Sequence, residues 1–378
     1  MKRSIQTIVE IIRKELYQFR QDRRMVAVSI IAPLAQVLLL GYAATTDIRN
    51  AAMVVCDMDR TPASRELIRA FTNSRYFIES NRIESPDDVG RFLDHGDASI
   101  ALVLPRGFGN KILGREPAPL QMIIDGTDAN SANMLLGYAN QIVGQYSRRV
   151  IAEYAFSARG SIGGTILPEP RVWFNPELLS KNYMVPGVVA LVLMIITMTL
   201  TSLGIVKEKE IGTLEQLMVT PIKPHELIAG KLIPFVIIGA IDVALVLSIA
   251  RFWFDVPMLG SLLVLLGLSG LFILTTLGLG LFISTIAKSQ QQAMLIAQFF
   301  FFMPFIFLSG FAFPIANMPE VIQYLTYLIP LRYFLEIVRG VFLKGVGLGE
   351  LWPQALALFV IGLSILSLSV LRFRKKLE

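Results

Sequence analysis

The stretch Val206–Lys231, VKEKEIGTLEQLMVTPIKPHELIAGK, is a charged island between two long apolar segments. Thr213 and Gln216 have the T-x-x-Q spacing of a capping box, in which side chains satisfy the first backbone N–H groups of a helix. An apolar face follows this start and consists of Leu214, Leu217 and Met218. The spacing therefore predicts a short helix inside the charged island.

Thr220-Pro221 ends this predicted helix, because proline cannot donate the next backbone hydrogen bond and disfavours helix in the residue before it. A short, exposed helix held between two membrane spans is well suited for docking into another protein. An ordinary solvated loop is the alternative interpretation.

The composition indicates a membrane protein. The 378 residues are 54% hydrophobic and 17% charged, with a mean hydropathy of +0.58, and the chain contains uncharged runs of 18 residues or more. The net charge of +6 lies mainly at the flanks of these runs, so we interpret it as a topology signal and expect no nucleic acid partner. The single Cys56 excludes an intrachain disulfide, and no zinc-binding pattern of Cys and His is present.

Residues 1–24 have the pattern of a basic amphipathic helix. The pattern predicts an interfacial helix on the inner side of the membrane, with its basic side towards anionic headgroups. Binding to a partner protein is the alternative. The basic residues are Lys2, Arg3, Arg13, Lys14, Arg20, Arg23 and Arg24, and the apolar face consists of Ile5, Ile8, Val9, Ile12, Leu16 and Phe19.

The uncharged run 25–46 is long enough to span a membrane, and it lacks the short apolar core and small-residue cleavage site of a signal peptide. We therefore expect a retained first span. The positive charges that precede it place the N-terminus in the cytoplasm.

Residues 47–181 have the character of a water-soluble domain, which we expect outside the cytoplasmic membrane. Short apolar runs at 52–56, 100–104 and 120–124 predict strands, and the patterns at 63–71, 87–93 and 128–158 predict helices. This alternation indicates a small α/β or α+β domain.

Four acidic residues follow predicted strands or turns of this domain, and they invite a catalytic or metal-site interpretation. We favour turn and helix-cap roles, which are the usual reason for Asp at strand ends. The residues are Asp57, Asp59, Asp125 and Asp128.

Five further apolar runs predict membrane spans. Basic residues in the loop 207–231 and in the tail 372–378 place both of these segments inside. The predicted fold is therefore a polytopic α-helical membrane protein with six spans, an N-terminal interfacial helix and an α/β-type external domain between spans 1 and 2. Spans 2 to 6 cover residues 182–206, 232–250, 259–286, 293–313 and 352–371, and four glycines that permit close packing in span 4 are Gly267, Gly270, Gly278 and Gly280.

Asp242 is an acid well inside an apolar run, where exposure to lipid would be costly. Two interpretations fit this residue: a place in a cation or substrate path, and a polar contact between helices. Flexible methionine and aromatic side chains accept varied ligands. The candidate lining of an apolar path is Met184, Met194, Met198, Asp242, Phe299 and Phe302.

Residues 314–349 are too polar to form another full span. Arg332, Glu336 and Arg339 follow Pro330 at helical spacing and are predicted to pair along one side of a short helix. A solvent-facing amphipathic helix is the alternative.

The run Glu208-Lys-Glu-x-Gly212-Thr-Leu-Glu-x-Leu217, followed by Thr220-Pro221, resembles the coupling-helix loop of bacterial ABC-2 exporter permeases. Trp173-Phe-Asn-Pro176 resembles the end of the external domain in a multidrug-type subset of that family. Residues 314–349 resemble its external re-entrant helices, so the resemblance covers essentially the whole chain.

The resemblance implies that the loop transmits motion from a separate ATP-binding subunit, which carries the ATP and Mg. No G-x-x-x-x-G-K-[ST] phosphate loop occurs here, so we expect a non-hydrolytic permease without a cofactor of its own. The ATPase-coupling candidates are Glu208, Glu210, Gly212, Thr213, Leu214, Glu215, Gln216, Leu217, Thr220 and Pro221.

The expected function is efflux of a hydrophobic or amphipathic, drug-like or lipid-like substrate across a bacterial inner membrane, with both termini cytoplasmic. Expected partners are the ATPase, a second permease copy or a related permease, membrane lipid and an adaptor protein on the outer side. The alternatives are a non-transporting signal or force relay driven by the same ATPase and a secondary transporter, for which inverted repeats and several membrane acids are lacking.

Overall fold

The computed structural model describes residues 2–44, 50–114, 116–157, 174–175, 179–213 and 222–375. The chain divides into two compact units, a helical unit of residues 1–45 and 172–378 and an α/β unit of residues 46–171.

The first half of the chain contains two helices of the helical unit and all described elements of the α/β unit. Helix α2 is continuous through a π-helical turn at Ala27–Ile31. The elements are α1 (Lys2–Gln21), α2 (Arg23–Val26 to Ala32–Ala44), β1 (Ala51–Asp57), α3 (Pro62–Thr72), β2 (Phe77–Ile83), α4 (Val89–Asp94), β3 (Ile100–Leu104), α5 (Phe108–Leu113), β4 (Gln121–Ile124) and α6 (Ala129–Ser157).

The second half of the chain is helical. Three of its helices contain π-helical turns, at Ile249–Trp253, Ala297–Phe302 and Gly340–Lys344. The elements are α7 (Ser180–Ile211), α8 (Pro224–Ser248), α9 (Leu262–Ile286), α10 (Gln290–Ile296 to Met303–Leu308), α11 (Glu320–Thr326), α12 (Pro330–Arg339) and α13 (Leu348–Lys375).

Five described helices are long and apolar enough to cross a membrane, or six if α11 and α12, which meet at a 79° bend, form one broken span. The apolar part of α2, Ala27–Ala43, is shorter than these. The protein is therefore a polytopic helical membrane protein with five to six candidate spans among the described residues.

Helix α7 forms the centre of the helical unit, because 78% of its most apolar window is buried. It packs against α2, α8, α9 and α12. In contrast, the corresponding windows of α10 and α13 are only 11% and 17% buried. These two helices therefore present most of their apolar surface to the surroundings of the chain.

Two glycines of α9 make the close packing predicted from the sequence. A Cβ atom on Gly280 would lie 2.6 Å from the carbonyl oxygen of Met198, so α7 and α9 approach at this residue. A Cβ atom on Gly278 would lie 3.1 Å from the Leu366 side chain, so α9 also approaches α13. The prediction is wrong for Gly267 and Gly270, where no atom of the described part of the chain lies within 4 Å of an added Cβ.

The apolar face of α12 is buried, whereas Glu336 on the same helix is exposed. Its apolar side chains Leu331, Phe334 and Val338 are completely covered, and the ring of Phe334 stacks on Phe272 of α9 at 4.0 Å. The hydrophobic effect fixes α12 against α7 and α9 through this face.

The α/β unit is built on a four-stranded sheet in the order β2-β1-β3-β4. Strand β1 pairs in parallel with β2 and β3, and β4 is antiparallel to β3. Side chains of α3 and α6 cover one face of the sheet, and α4 lies against the other. Burial on both faces explains why β1 and β3 are continuous apolar runs.

The strands predicted at 52–56, 100–104 and 120–124 are present, whereas β2 was not predicted. Its sequence FIESNRI alternates poorly, and only Phe77 among its seven residues is buried. An edge strand that exposes most of its side chains carries little periodicity for a sequence argument to detect.

The acidic residues of this unit form turns and caps, as the sequence favours. The Asp57 carboxylate accepts the Ser64 hydroxyl at 2.9 Å and the Arg60 N–H at 2.9 Å. Asp59 accepts the N–H groups of Gly107 and Gly109, both at 2.8 Å, at the start of α5. Asp125 and Asp128 make equivalent local bonds, to the Thr127 N–H and to the Ser131 hydroxyl.

Candidate functional site

The loop singled out by the sequence connects the end of α7 to the start of α8. Gly212 ends α7 in a left-handed conformation with φ +83°, which glycine adopts without steric cost. Helix α8 begins after Lys223, whose N–H donates to the Glu226 carboxylate at 3.2 Å. Six coupling candidates lie outside the described residues: Leu214, Glu215, Gln216, Leu217, Thr220 and Pro221.

Thr213 is the last residue described before this gap. Its hydroxyl donates to the carbonyl oxygen of Glu208 at 3.2 Å and thereby bonds back to the last turn of α7. The predicted partner in a capping box, Gln216, is outside the described residues.

Four charged side chains meet where α1 crosses the ends of α7 and α8, and we call them the four-charge cluster: Lys14, Glu15, Glu208 and Lys231. The Lys231 ammonium bonds the Glu208 carboxylate and lies 3.2 Å from Glu15. Lys14 lies 2.8 Å from the other oxygen of Glu208. Both ends of the loop are thus joined to the N-terminal helix.

Burial makes this cluster energetically different from a surface ion pair. The side chain of Lys231 is 4% exposed and those of Glu15 and Glu208 are 12% exposed. Burial lowers the pKa of Lys14, but the hydrogen bond and charge of Glu208 and the charge of Glu15 outweigh it, so the pKa is raised. Removing one member of such a network leaves an uncompensated charge in a poorly solvated place.

Helix α1 is docked onto the bundle by apolar and polar contacts. Ile11 is buried, and its side chain occupies the space of a side chain at Gly230, where an added Cβ would lie 2.6 Å from it. Ser4 donates to the Glu226 carboxylate, and Lys207 lies 2.6 Å from Asp22. Ile5 and Val9 of the same helix remain about half exposed.

Glu210 connects the loop to the turn between α9 and α10. Its carboxylate accepts the Gln290 side-chain amide at 2.8 Å and the Gln290 N–H at 3.3 Å. The neighbouring Lys209 ammonium donates to the carbonyl oxygen of Ala287 at 2.7 Å. Glu208 and Glu210 are therefore both bound within the chain.

Sequence reasoning selected Glu208 but missed its partners Lys14 and Lys231, and also Glu15, which contacts the same two lysines. The sequence contained one signal for this cluster: Lys231 directly precedes an apolar run, and a lysine beside a membrane span needs a counter-charge. The partner itself was not predictable, because it depends on where α1 crosses two other helices.

The six residues proposed to line an apolar path are not brought together. Met194 and Met198 are fully buried in helix contacts, whereas Phe299 is 60% exposed and lines a groove of about 360 Å³ between α2, α7 and α10. Met184 and Phe302 are half-buried. Asp242 is fully buried on α8, and neither of its carboxylate oxygens has a hydrogen-bond partner among the described residues.

The predicted pairing of Arg332, Glu336 and Arg339 is wrong, because each side chain has another partner. Arg332 bonds the Thr326 hydroxyl and stacks on Tyr327 at 4.0 Å. The Arg339 guanidinium stacks on Tyr183 at 3.7 Å and donates to the Gly310 carbonyl at 3.3 Å. Glu336 accepts the Gln354 amide at 2.9 Å. Tertiary contacts outweigh the weak pairing of charges along one helix.

Comparison with known proteins identifies the family. Residues 23–371 match the family model described as ABC-2 family transporter protein. The chain is 33% identical over 366 residues to the probable multidrug ABC transporter permease YbhR of Escherichia coli K12, covering 97% of this chain and 98% of the relative. It is 32% identical to the probable multidrug ABC transporter permease YbhS, over 97% of this chain and 96% of that protein.

A more distant relative is the inner membrane transport permease YhhJ of E. coli K12, which is 28% identical over 96% of this chain and 95% of its own length. All three similarities extend over both units of the chain. The chain therefore belongs to the ABC-2 transporter family and is a non-catalytic permease subunit of an ABC exporter, for which a separate subunit supplies the ATPase activity.

Proposed function

We propose that this permease exports a hydrophobic or amphipathic, drug-like or lipid-like substrate. Two relatives that are about one-third identical over nearly the full length are named as probable multidrug permeases. The groove beside Phe299 supports the proposal, because it is lined mainly by apolar side chains with a few amide and hydroxyl groups. Such surfaces bind varied ligands, because apolar contacts do not require precise geometry.

The proposed topology has six spans, with α2 as the first, both termini in the cytoplasm and the α/β unit outside. It is supported by the positive residues before α2, in the loop 207–231 and after α13. The bent pair of α11 and α12 then forms a re-entrant segment on the outer side.

We propose that two permease copies, or this chain and a related permease, form one pathway. Helices α10 and α13 support this arrangement, because most of their apolar surface is left uncovered within one chain. A second copy buries part of this surface, and lipid covers the remainder.

We propose further that the ATP-binding subunit, which holds ATP and Mg, docks on the helix predicted at residues 212–219. The observation that carries this proposal is the four-charge cluster, since it fixes both ends of the loop to the helix bundle. A force on a loop with fixed ends moves α7 and α8 rather than only the loop. Glu208 then acts by holding the loop, and the residues of the predicted helix make the contact with the ATPase.

Reconstitution tests the proposed function. The chain and its ATPase, placed together in proteoliposomes, are expected to transport a fluorescent amphiphile only with hydrolysable ATP, and the substrate is expected to stimulate hydrolysis. Hydrolysis that ignores every amphiphile, without transport, would identify a force relay instead. Transport that needs an ion gradient and no ATPase would identify a secondary transporter.

A further inference from the structure

A cavity of about 640 Å³ lies beneath α1, beside the four-charge cluster. Gln18 and Phe19 of α1 and Met25 of α2 cover it, and α7 and α8 form its walls. Its volume is within the range of small-molecule sites, which is roughly 300–1,000 Å³.

The lining changes from charged to apolar along the helix axes. Lys207 and Glu208 lie near the end of α7, whereas Gly204 is one turn deeper in the bundle. On the facing helix α8, Phe235 and Ile238 lie progressively farther from the loop. The cavity therefore offers charges at one end and apolar surface at the other. These match the headgroup and the acyl chains of a phospholipid in one bilayer leaflet.

The accessible charge at the rim is positive. The side chains of Lys14 and Lys207 are 38% and 41% exposed, whereas those of Glu15 and Glu208 are 12% exposed and that of Asp22 is 26% exposed. The three carboxylates of the lining are therefore less accessible than the two ammonium groups. An approaching headgroup meets the lysines first, and a phosphate is the complementary charge.

Each of these ammonium groups has bonding capacity for such a phosphate. An ammonium has three N–H donors. Lys14 directs two of them to Glu208 and Glu15, and Lys207 has one carboxylate contact, to Asp22. A phosphate can therefore accept the third N–H of Lys14 and one of the remaining N–H groups of Lys207 without breaking the four-charge cluster.

We propose that this cavity binds one anionic phospholipid of the inner leaflet, with its phosphate at Lys14 and Lys207 and an acyl chain along Phe19, Phe235 and Ile238. Basic pockets between spans on the cytoplasmic side bind anionic lipid headgroups in this manner. Only the assignment to the inner leaflet rests on the proposed topology. Binding of the lipid is measurable in detergent and does not depend on that topology.

Native mass spectrometry of the full chain in mild detergent tests the proposal, with added phosphatidylglycerol or phosphatidylethanolamine as probes. We expect preferential retention of phosphatidylglycerol, and a loss of affinity of about fivefold for Lys207→Gln, as for one lysine at a lipid surface. Ile211→Trp, at an exposed residue of the cavity mouth, is expected to reduce retention while leaving the four-charge cluster intact.

The matched control is Arg13→Gln with Arg20→Gln, which removes two exposed charges from α1 outside the cavity. We expect this variant to retain the lipid, because neither arginine lines the cavity. General attraction to a basic helix would instead be weakened by the loss of the two charges. Equal retention of both lipids, or equal losses in the control and Lys207→Gln, would overturn the proposal.

Inorganic phosphate distinguishes a lipid from a soluble anion. We expect millimolar phosphate to leave the bound lipid in place, because it lacks the acyl chain. Complete displacement would overturn the lipid assignment and indicate a soluble phosphate site. A cysteine at residue 211 that is labelled only from outside intact cells would contradict the proposed orientation without altering the result in detergent.

Discussion

Lys231 and Glu208 form a buried ion pair between the first turns of α8 and the last turn of α7, at opposite ends of one loop. Glu15 of α1 lies on the same ammonium at 3.2 Å. Through this contact, α1 helps to hold together the two helix ends that the loop connects.

Replacing Lys231 by methionine is expected to destabilise the protein by about 3 kcal/mol, because it leaves two carboxylates in a poorly solvated place with only Lys14 to compensate them. Thermal unfolding of the purified chain measures the loss. Glu84→Gln is the control, since its pair with Arg60 is at 2.8 Å but its side chain is 88% exposed, and we expect almost no change. Equal effects would contradict a special role for burial.

Gly230→Ala is expected to displace α1, because the added Cβ would lie 2.6 Å from the Ile11 side chain. Gly267→Ala adds the same atom to another helix where no described atom lies within 4 Å, and should be neutral or stabilising by up to about 1 kcal/mol. Limited proteolysis within residues 1–24 reports the displacement. Combining Gly230→Ala with Ile11→Gly removes both clashing atoms, the Ile11 Cγ2 at 2.6 Å and the Ile11 Cβ at 2.7 Å, and should restore protection. Failure to do so would show that this contact does not hold α1.

Asp242→Leu is expected to raise the thermal unfolding midpoint, because it removes a fully buried carboxyl without a partner in the described structure. Efflux is expected to fall several-fold, since costly acids in spans are usually retained for function. Asp242→Asn keeps the shape and a polar group, and is the matched variant. Unchanged efflux with higher stability would exclude Asp242 from the path.

The start of α5 should lose protection at acid pH. Burial raises the pKa of Asp59, but its bonds from Thr61 and from the N–H groups of Gly107 and Gly109 outweigh this and lower the pKa. A carboxyl with a lowered folded-state pKa stabilises the fold above its unfolded pKa, and this contribution is lost as pH falls through the folded value.

Hydrogen exchange of residues 105–113, corrected for intrinsic rates, measures this loss. The decline should begin below the ordinary pKa of an aspartate. Asp59→Asn should show reduced protection already at neutral pH, with no further acid-dependent decline. The difference in protection between the two proteins is therefore expected at neutral pH and should disappear as the wild type loses protection in acid. Identical profiles, or a difference that does not change with pH, would contradict the role of Asp59.

Local sequence pattern was sufficient to predict most of the helices and three of the four described strands, since membrane spans and buried strands are both continuous apolar runs. It also indicated Glu208, through the similarity of the loop to known permeases. The contact of Glu208 with Lys14 was not predictable, because residues 194 positions apart meet only through helix packing. The pair with Lys231, 23 positions away, depends on how α7 and α8 lie against each other. Arg339 shows the same limit: its spacing suggested Glu336, but the fold brings Tyr183 and Gly310 to it.

Co-purification with the ATP-binding subunit tests the central claim most directly. The variant Glu210→Arg with Leu214→Asp reverses one charge and replaces one apolar residue of the predicted helix. Gln290→Ala is the control, since it removes only the side-chain amide that donates to Glu210. Loss of the complex in the loop variant alone, with normal thermal unfolding, is the predicted result. Undiminished binding of the ATPase to the loop variant would contradict the account.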